Sequence, residues 1–222
     1  MFELRALFFP WFSHIDEFIP NIDTMMQSEN PLDRDYWNSR YLTQSTGWDL
    51  GEVSPPIKAY IDQIEDKSIR ILIPGCGNTY EAEYLLSLGF LDITVIDIAP
   101  ELILSLKKKF EGNKHVSIVE GDFFLHEGSY DLILEQTFFC AIDPSMRKKY
   151  AMKMNDLLAP QGKLVGLLFD VEFEKKGPPF GGDSAEYRPI FEPYFTFRHF
   201  ERATNSFFKR AGTELFICLV KK

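Results

Sequence analysis

Ile69-Arg70-Ile71-Leu72-Ile73-Pro74-Gly75-Cys76-Gly77-Asn78 is the stretch on which the fold turns. Residues 69 to 73 are a short apolar run rich in isoleucine, the pattern of a buried strand. Two glycines with one residue between them let the chain turn tightly and come close to a ligand. Asn78, with Glu81 three residues on, reads as a capping box opening a helix that Gly89 closes. The same alternation continues outward. Ile93 to Ile96 is a second strand and ends at Asp97. The next helix carries Pro100 and Glu101 in its first turn and Lys107, Lys108 and Lys109 in its last, charges that suit the helix dipole. Val116 to Val119 and Leu132 to Leu134 read as strands. Asp143-Pro144 opens a helix that ends before Pro160, Leu164 to Phe169 is a fifth strand, and Glu214 to Val220 a last one. Strands separated by helices predict a doubly wound α/β fold, a mostly parallel sheet with helices on both faces. Such sheets bind ligands at the carboxyl ends of their strands, where strand order reverses.

The residues just after each strand therefore carry the search for chemistry. Gly75 and Gly77 precede a helix N-terminus with free N–H groups. Asp97 lies twenty residues beyond Gly77, where a carboxylate accepts hydrogen bonds from ribose hydroxyls. The pair points to an adenosine-containing cofactor; a plain strand-to-helix turn is the competing reading. A nicotinamide dinucleotide would want a third glycine where Tyr80 stands. S-adenosylmethionine has ribose and adenine but no phosphate, and tolerates that bulk. In Gly121-Asp122-Phe123-Phe124, Asp122 is placed to accept from the adenine amino group and Phe123 to stack on the ring, with burial in the core as the alternative for both phenylalanines.

Composition narrows the class further. Of 222 residues, 33 are acidic and 24 basic, for a formal charge of −9. That balance argues against nucleic-acid and anionic-membrane partners, whose phosphates are bound mainly by Lys and Arg. Cys76, Cys140 and Cys218 are too few and too far apart for a disulfide scaffold, a zinc site or a redox dithiol, so we expect no metal and a reducing, cytoplasmic setting. No stretch reaches the roughly 18 apolar residues of a membrane span. The segment from Met1 to Phe12, with Glu3, Arg5 and an apolar run broken by Pro10, makes a poor signal peptide. We expect a tail or lid over residues 1–32, with Met25 and Met26 as alternative starts, and one catalytic domain over 33–222.

Several further motifs carry a family resemblance. Asp35-Tyr36-Trp37-Asn38-Ser39-Arg40-Tyr41, Thr46-Gly47-Trp48-Asp49 and Pro55-Pro56-Ile57 are followed in order by the glycine loop, Ile96-Asp97-Ile98, Gly121-Asp122-Phe123-Phe124, Phe138-Phe139-Cys140-Ala141-Ile142, Met146-Arg147 and Gly177-Pro178-Pro179-Phe180. Together they resemble the thiopurine S-methyltransferase superfamily, and within it the plant-type thiocyanate/halide (thiol) methyltransferase branch, over residues 33 to 220. The resemblance implies a class I S-adenosylmethionine-dependent methyltransferase fold, Rossmann-like, with a seven-stranded sheet whose last strand is antiparallel. It implies cofactor contacts from Trp37, Tyr41, Trp48, Gly75, Asp97, Asp122, Phe123 and Gln136. It also places Arg147 near cofactor and substrate, against a solvated helix charge as the other reading, and makes Pro178 and Pro179 a roof over the substrate.

Methyl transfer from a sulfonium is an in-line displacement in which the donor carries its own activation, so the protein chiefly aligns the acceptor and excludes water. Aromatic faces attract the sulfonium while keeping the pocket apolar. A soft anion such as thiocyanate, iodide or hydrosulfide, or a thiolate, needs little proton abstraction. Accordingly no side-chain base is assigned: of His14, His115, His126 and His199, only His126 lies near a predicted strand end. Cys76 and Cys140 read as small buried hydrophobes. The expected activity is methylation of a small-molecule or small-anion acceptor by a monomer, with aromatic-thiol methylation and non-catalytic cofactor binding as alternatives.

Overall fold

The computed structural model describes residues 32–222. The tail or lid expected over 1–32 thus lies, apart from Leu32, outside the described residues. Helix α1 (Arg34–Leu42) starts where the Asp33 carboxylate accepts from Tyr36 N–H, and α2 (Pro55–Ile61) starts on a proline, whose missing N–H costs nothing at that position. Strand β1 (Arg70–Pro74), helix α3 (Tyr80–Ser87), strand β2 (Asp92–Asp97), helix α4 (Pro100–Lys109) and strand β3 (Val116–Glu120) form two successive βα units. Strand β4 (Tyr130–Gln136), helix α5 (Arg147–Leu157), strand β5 (Leu158–Phe169), helix α6 (Ser184–Phe191), strand β6 (Phe195–Arg202) and strand β7 (Glu214–Lys221) complete the chain.

The seven strands lie in the order β3-β2-β1-β4-β5-β7-β6. Only β7 runs against its neighbours, antiparallel to both β5 and β6. The order reverses between β1 and β4, so the carboxyl ends of these two strands flank the switch point. Alternation along the strands divides the core in two. On one face Ile71, Ile73, Ile93, Val95, Leu132 and Leu134 pack with α2, α3 and α4 residues such as Ile57, Leu85 and Leu102. On the other, Leu72, Ile133, Leu164 and Leu168 pack with Tyr150 and Met154 of α5 and Tyr187 and Phe191 of α6.

Two expectations are corrected, and one strand appears that no apolar run announced. The first crossover helix does not begin at Asn78. Thr79 occupies its N-cap in left-handed conformation, φ +50°, without a side-chain capping bond, and the Asn78 carboxamide donates to Asp49 instead of capping the helix. The fifth strand starts at Leu158 and includes Pro160, six residues earlier than the apolar run suggests. The antiparallel edge hairpin contains β6, whose alternation is broken by a register shift between Phe197 and His199, which hides the strand from a period-two reading.

Candidate functional site

The loop after β1 has both glycines in left-handed conformation, φ +54° at Gly75 and +52° at Gly77. A Cβ on Gly75 would stand 2.3 Å from the Phe138 ring, so that glycine is required by packing as well as by backbone; at Gly77 the nearest atom is the Tyr41 hydroxyl at 3.7 Å. The loop hangs from the end of β2. Cys76 N–H donates to the Ile96 carbonyl at 3.1 Å, and Gly77 N–H to Asp97 Oδ2 at 3.3 Å. Asp97 Oδ1 accepts from Ala99 N–H at 3.0 Å. Burial pushes the Asp97 carboxyl up, and the backbone N–H groups of Ala99, Gly77 and Ile98 pull it back down.

An aromatic wall stands beside this loop. Trp37 and Tyr41 project from α1 and meet Trp48 edge to face, at 5.6 and 5.9 Å between ring centres. Burial and the nearby Asp97 charge push the Tyr41 phenol upward, so it stays a neutral donor. The Trp48 segment is clamped from two sides. Its carbonyl accepts from Arg210 at 2.6 Å, and Arg210 is in turn paired with buried Glu214 at 3.3 Å. Asp49 accepts from the Asn78 carboxamide and, at 3.3 Å, from the Tyr80 hydroxyl, whose pKa burial raises to about 12. Tyr80, at the third-glycine position, is therefore a fastener for the wall.

Gln136 ends β4 across the switch point. Both polar atoms of its carboxamide are buried without a hydrogen-bond partner, and so is the hydroxyl of Thr79, which is 1 % exposed. Buried polar groups normally find partners, so these atoms are open to a bond from a ligand or from water. Gln136, Thr137, Thr79, Gly75, Gly77 and Trp48 line one cleft of about 500 Å³, part of it open to solvent. Asp122 is exposed at the end of β3 and turns its carboxylate onto Phe124 N–H at 2.8 Å. Phe123 is 4 % exposed and packs against Phe124, Phe138 and Tyr150, whereas Phe124 is the half-buried one, so core burial falls on the first of the pair.

Arg147 is not a solvated helix charge. It is 2 % exposed, pairs with Glu186 at 2.8 Å, donates to the Gly181 carbonyl at 2.8 Å, and lies over the rings of Phe139 and Tyr187. Its Nε has no partner. The arginine thereby ties α5 to the loop that carries Pro178 and Pro179. That loop also returns to the switch point, since Phe180 N–H donates to the Cys140 carbonyl at 2.7 Å. Of the expected site residues Trp48, Gly75 and Gln136 line the cleft itself, whereas Trp37, Tyr41, Asp97, Asp122, Phe123, Arg147 and the two prolines do not. His126 bonds Tyr130, the first residue of β4, at 2.7 Å, and so sits at the opposite end of that strand from Gln136. Burial holds the Cys76 thiol far up and the Cys140 thiol at about 12, which keeps both neutral. Among the described residues no cluster of ligating side chains could hold a metal ion. The sequence reading missed Asp49, Thr79, Glu135 and Arg210, and only Asp49 lies in a motif it quoted.

A cradle opened by glycine, a carboxylate twenty residues on and an orphaned carboxamide opposite fit an adenosine cofactor without phosphates. The seven-stranded mixed sheet with its helices is the Rossmann-like fold of the class I S-adenosylmethionine-dependent methyltransferases. The fold matches the Burkholderia thailandensis 1,6-didemethyltoxoflavin-N1-methyltransferase with bound S-adenosylhomocysteine at a TM-score of 0.69 and 18% identity, covering 85% of this chain and 87% of that one. The sequence matches the family model described as Thiopurine S-methyltransferase (TPMT) over residues 32–215. It is 32% identical over 162 residues to the probable thiol methyltransferase 2 of Arabidopsis thaliana, and 28% identical over the same length to thiocyanate methyltransferase 1 of that plant, each time covering 71% of both proteins. The chain belongs to the thiopurine S-methyltransferase family. It is an S-adenosylmethionine-dependent methyltransferase.

Proposed function

We propose that the protein transfers a methyl group from S-adenosylmethionine to a small soft nucleophile: hydrosulfide or another small thiol, thiocyanate, or a halide. The observation that carries the proposal is that, among the described residues, the buried and half-buried carboxylates beside the cleft are held by burial and by protein partners, leaving only exposed Glu52 free at its rim. Asp49 is bonded to Asn78 and Tyr80 and Asp97 to backbone N–H groups, while Glu81 is buried, which pushes its carboxyl up. His115, His126 and His199 are bonded to Leu91, Tyr130 and Glu201 away from it. A site arranged in this way suits an acceptor that arrives as its own anion. The plant relatives' names, thiol and thiocyanate methyltransferase, support the same acceptor class.

S-adenosylmethionine, when bound, supplies a methyl group already activated by the sulfonium charge. In this reading Asp97 accepts from the ribose hydroxyls and Asp122 from the adenine amino group. Phe123 backs the adenine side from within the core, and Gly75 with Gln136 holds the chain of the cofactor between them. Trp37, Tyr41 and Trp48 offer ring faces and edges that attract a cation and keep water out. Pro178 and Pro179 roof the acceptor, and Arg147 sets their loop through Glu186 and the Gly181 carbonyl. Methyl transfer then needs alignment more than proton movement. A monomer in a cytoplasmic setting, with neither nucleic acid nor membrane as partner, belongs to the same proposal and rests on the acidic charge and the three unpaired cysteines.

Formation of S-adenosylhomocysteine, measured acceptor by acceptor, tests this reading. Turnover with iodide, bromide, thiocyanate or hydrosulfide should exceed turnover with an aromatic thiol. Turnover confined to the aromatic thiol would replace it with thiopurine-type methylation, which the family description also accommodates. No turnover with any acceptor would leave a cofactor-binding protein.

A further inference from the structure

Glu135 is the penultimate residue of β4, fully buried in the middle of the sheet, and no step described above uses it. Burying a carboxylate is costly unless hydrogen bonds replace its water. Here they do. One oxygen accepts from the N–H groups of Phe138 and Phe139 at 2.7 and 3.0 Å, and the other accepts from the Tyr150 hydroxyl of α5. The neighbouring strand is shaped around it, because a Cβ on Gly166, its partner in β5, would fall 2.3 Å from the Glu135 Cβ.

The turn that this carboxylate holds is the one that joins the two sides of the site. It begins with the orphaned carboxamide of Gln136 and with Thr137 at φ +64°, a conformation a β-branched residue adopts only when its surroundings enforce it. It continues through Phe138, whose ring rests on Gly75, and ends at Cys140, whose carbonyl takes the Phe180 N–H. We infer that Glu135 and Tyr150 are a positioning pair: the carboxylate fixes the 137–140 turn, and through it sets Gln136 against the cofactor and the Phe180 loop over the acceptor. The inference rests on the cofactor reading above and deepens it.

Burial raises the Glu135 carboxyl to about 7, so its charge is lost just below neutrality. The titratable groups that face it are Tyr150 of α5 and Cys140 of the turn, and burial keeps both neutral through this range. Arg147, one turn before Tyr150, is engaged by Glu186 and the Gly181 carbonyl. Protonation of Glu135 turns one acceptor oxygen into a donor and replaces charge-assisted bonds to the turn with weaker neutral ones.

Titration calorimetry of the full chain with S-adenosylhomocysteine, at pH 6 and pH 8, tests the pair without any acceptor present. Glu135→Gln keeps the shape but not the charge, and Tyr150→Phe removes one donor. At pH 8 Glu135→Gln should bind at least about fivefold more weakly than wild type, and Tyr150→Phe about threefold. Wild type should lose affinity between pH 8 and pH 6, and Glu135→Gln should show a smaller loss; Asp97 is present in both and cancels. Binding by Glu135→Gln equal to wild type, with the same pH loss, would make Glu135 a structural filler. If that variant does not fold, unchanged binding by Tyr150→Phe overturns the inference by itself. Wild type that binds no S-adenosylhomocysteine would instead overturn the cofactor reading, and this inference with it.

Discussion

Replacing Asp97 by alanine should weaken S-adenosylmethionine binding about 10- to 150-fold. A hydrogen bond from a ribose hydroxyl to a charged acceptor contributes about 1.5–3 kcal/mol, and about 1.4 kcal/mol corresponds to a factor of ten. The same carboxylate serves the fold. It receives Gly77 N–H at 3.3 Å and Ala99 N–H at 3.0 Å in a position that is 8 % exposed. Alanine leaves both donors short of a partner, at about 1 kcal/mol each, which for a chain of this length lowers the melting temperature by roughly 4–8 °C. Asp97→Asn separates the two effects, because its carboxamide oxygen retains one of the amides while the charge is gone. That variant should recover part of the lost melting temperature and remain weakened in binding. Calorimetric titration together with thermal unfolding reads both quantities. A folded Asp97→Ala protein that binds within about threefold of wild type would remove Asp97 from the cofactor site, because such a change is under 1 kcal/mol.

Gly75→Ala should cost about 2–4 kcal/mol of stability, from the left-handed backbone at φ +54° and from the 2.3 Å approach to the Phe138 ring; unchanged thermal unfolding would show that the ring yields freely. Stability should also report on Glu135. Its carboxyl is raised in the folded chain from the ordinary 4.5 to about 7, so the folded state binds the proton more tightly than the unfolded one. The stabilisation is full below the unfolded value and is lost as pH rises through the folded one, at most about 3 kcal/mol in all. The melting temperature of Glu135→Gln relative to wild type should therefore rise between pH 4 and pH 8, and a constant difference would refute a neutral buried carboxyl.

Much of the sheet was legible because its strands are local apolar runs followed by turns. Ile71 to Ile73 and Ile93 to Ile96 announce themselves within a few residues, and both lie in strands. Elements whose identity depends on distant partners were not legible. Helix α6 is eight residues long with Pro189 inside it, and it exists because Tyr187 and Phe191 bury against α5 and the sheet. Asn78 looked like a cap, yet Asp49, 29 positions earlier, takes its carboxamide. Arg147 sits beside Lys148 and Lys149 in the sequence as if part of a charged surface, and only the return of the loop to Gly181, 34 positions away, shows it buried. Glu135 appeared as one polar residue in the run Leu132-Ile133-Leu134-Glu135-Gln136. Its meaning comes from the turn that doubles back onto it and from Tyr150 of α5. The aromatic residues divide in the same way. With 21 phenylalanines, composition alone could not separate core from site, whereas the edge-to-face contacts of Trp37 and Tyr41 with Trp48 beside the glycine loop do.

The acceptor decides the account most directly, and a competition experiment reads it in one vessel. The protein is given S-adenosylmethionine with an isotopically labelled methyl group, together with equal concentrations of thiocyanate, hydrosulfide and an aromatic thiol, and the methylated products are identified by mass spectrometry of headspace and solution. Labelled volatile products from the small anions should dominate over the labelled aromatic thioether. A labelled aromatic thioether formed to the exclusion of the volatile products would contradict the account.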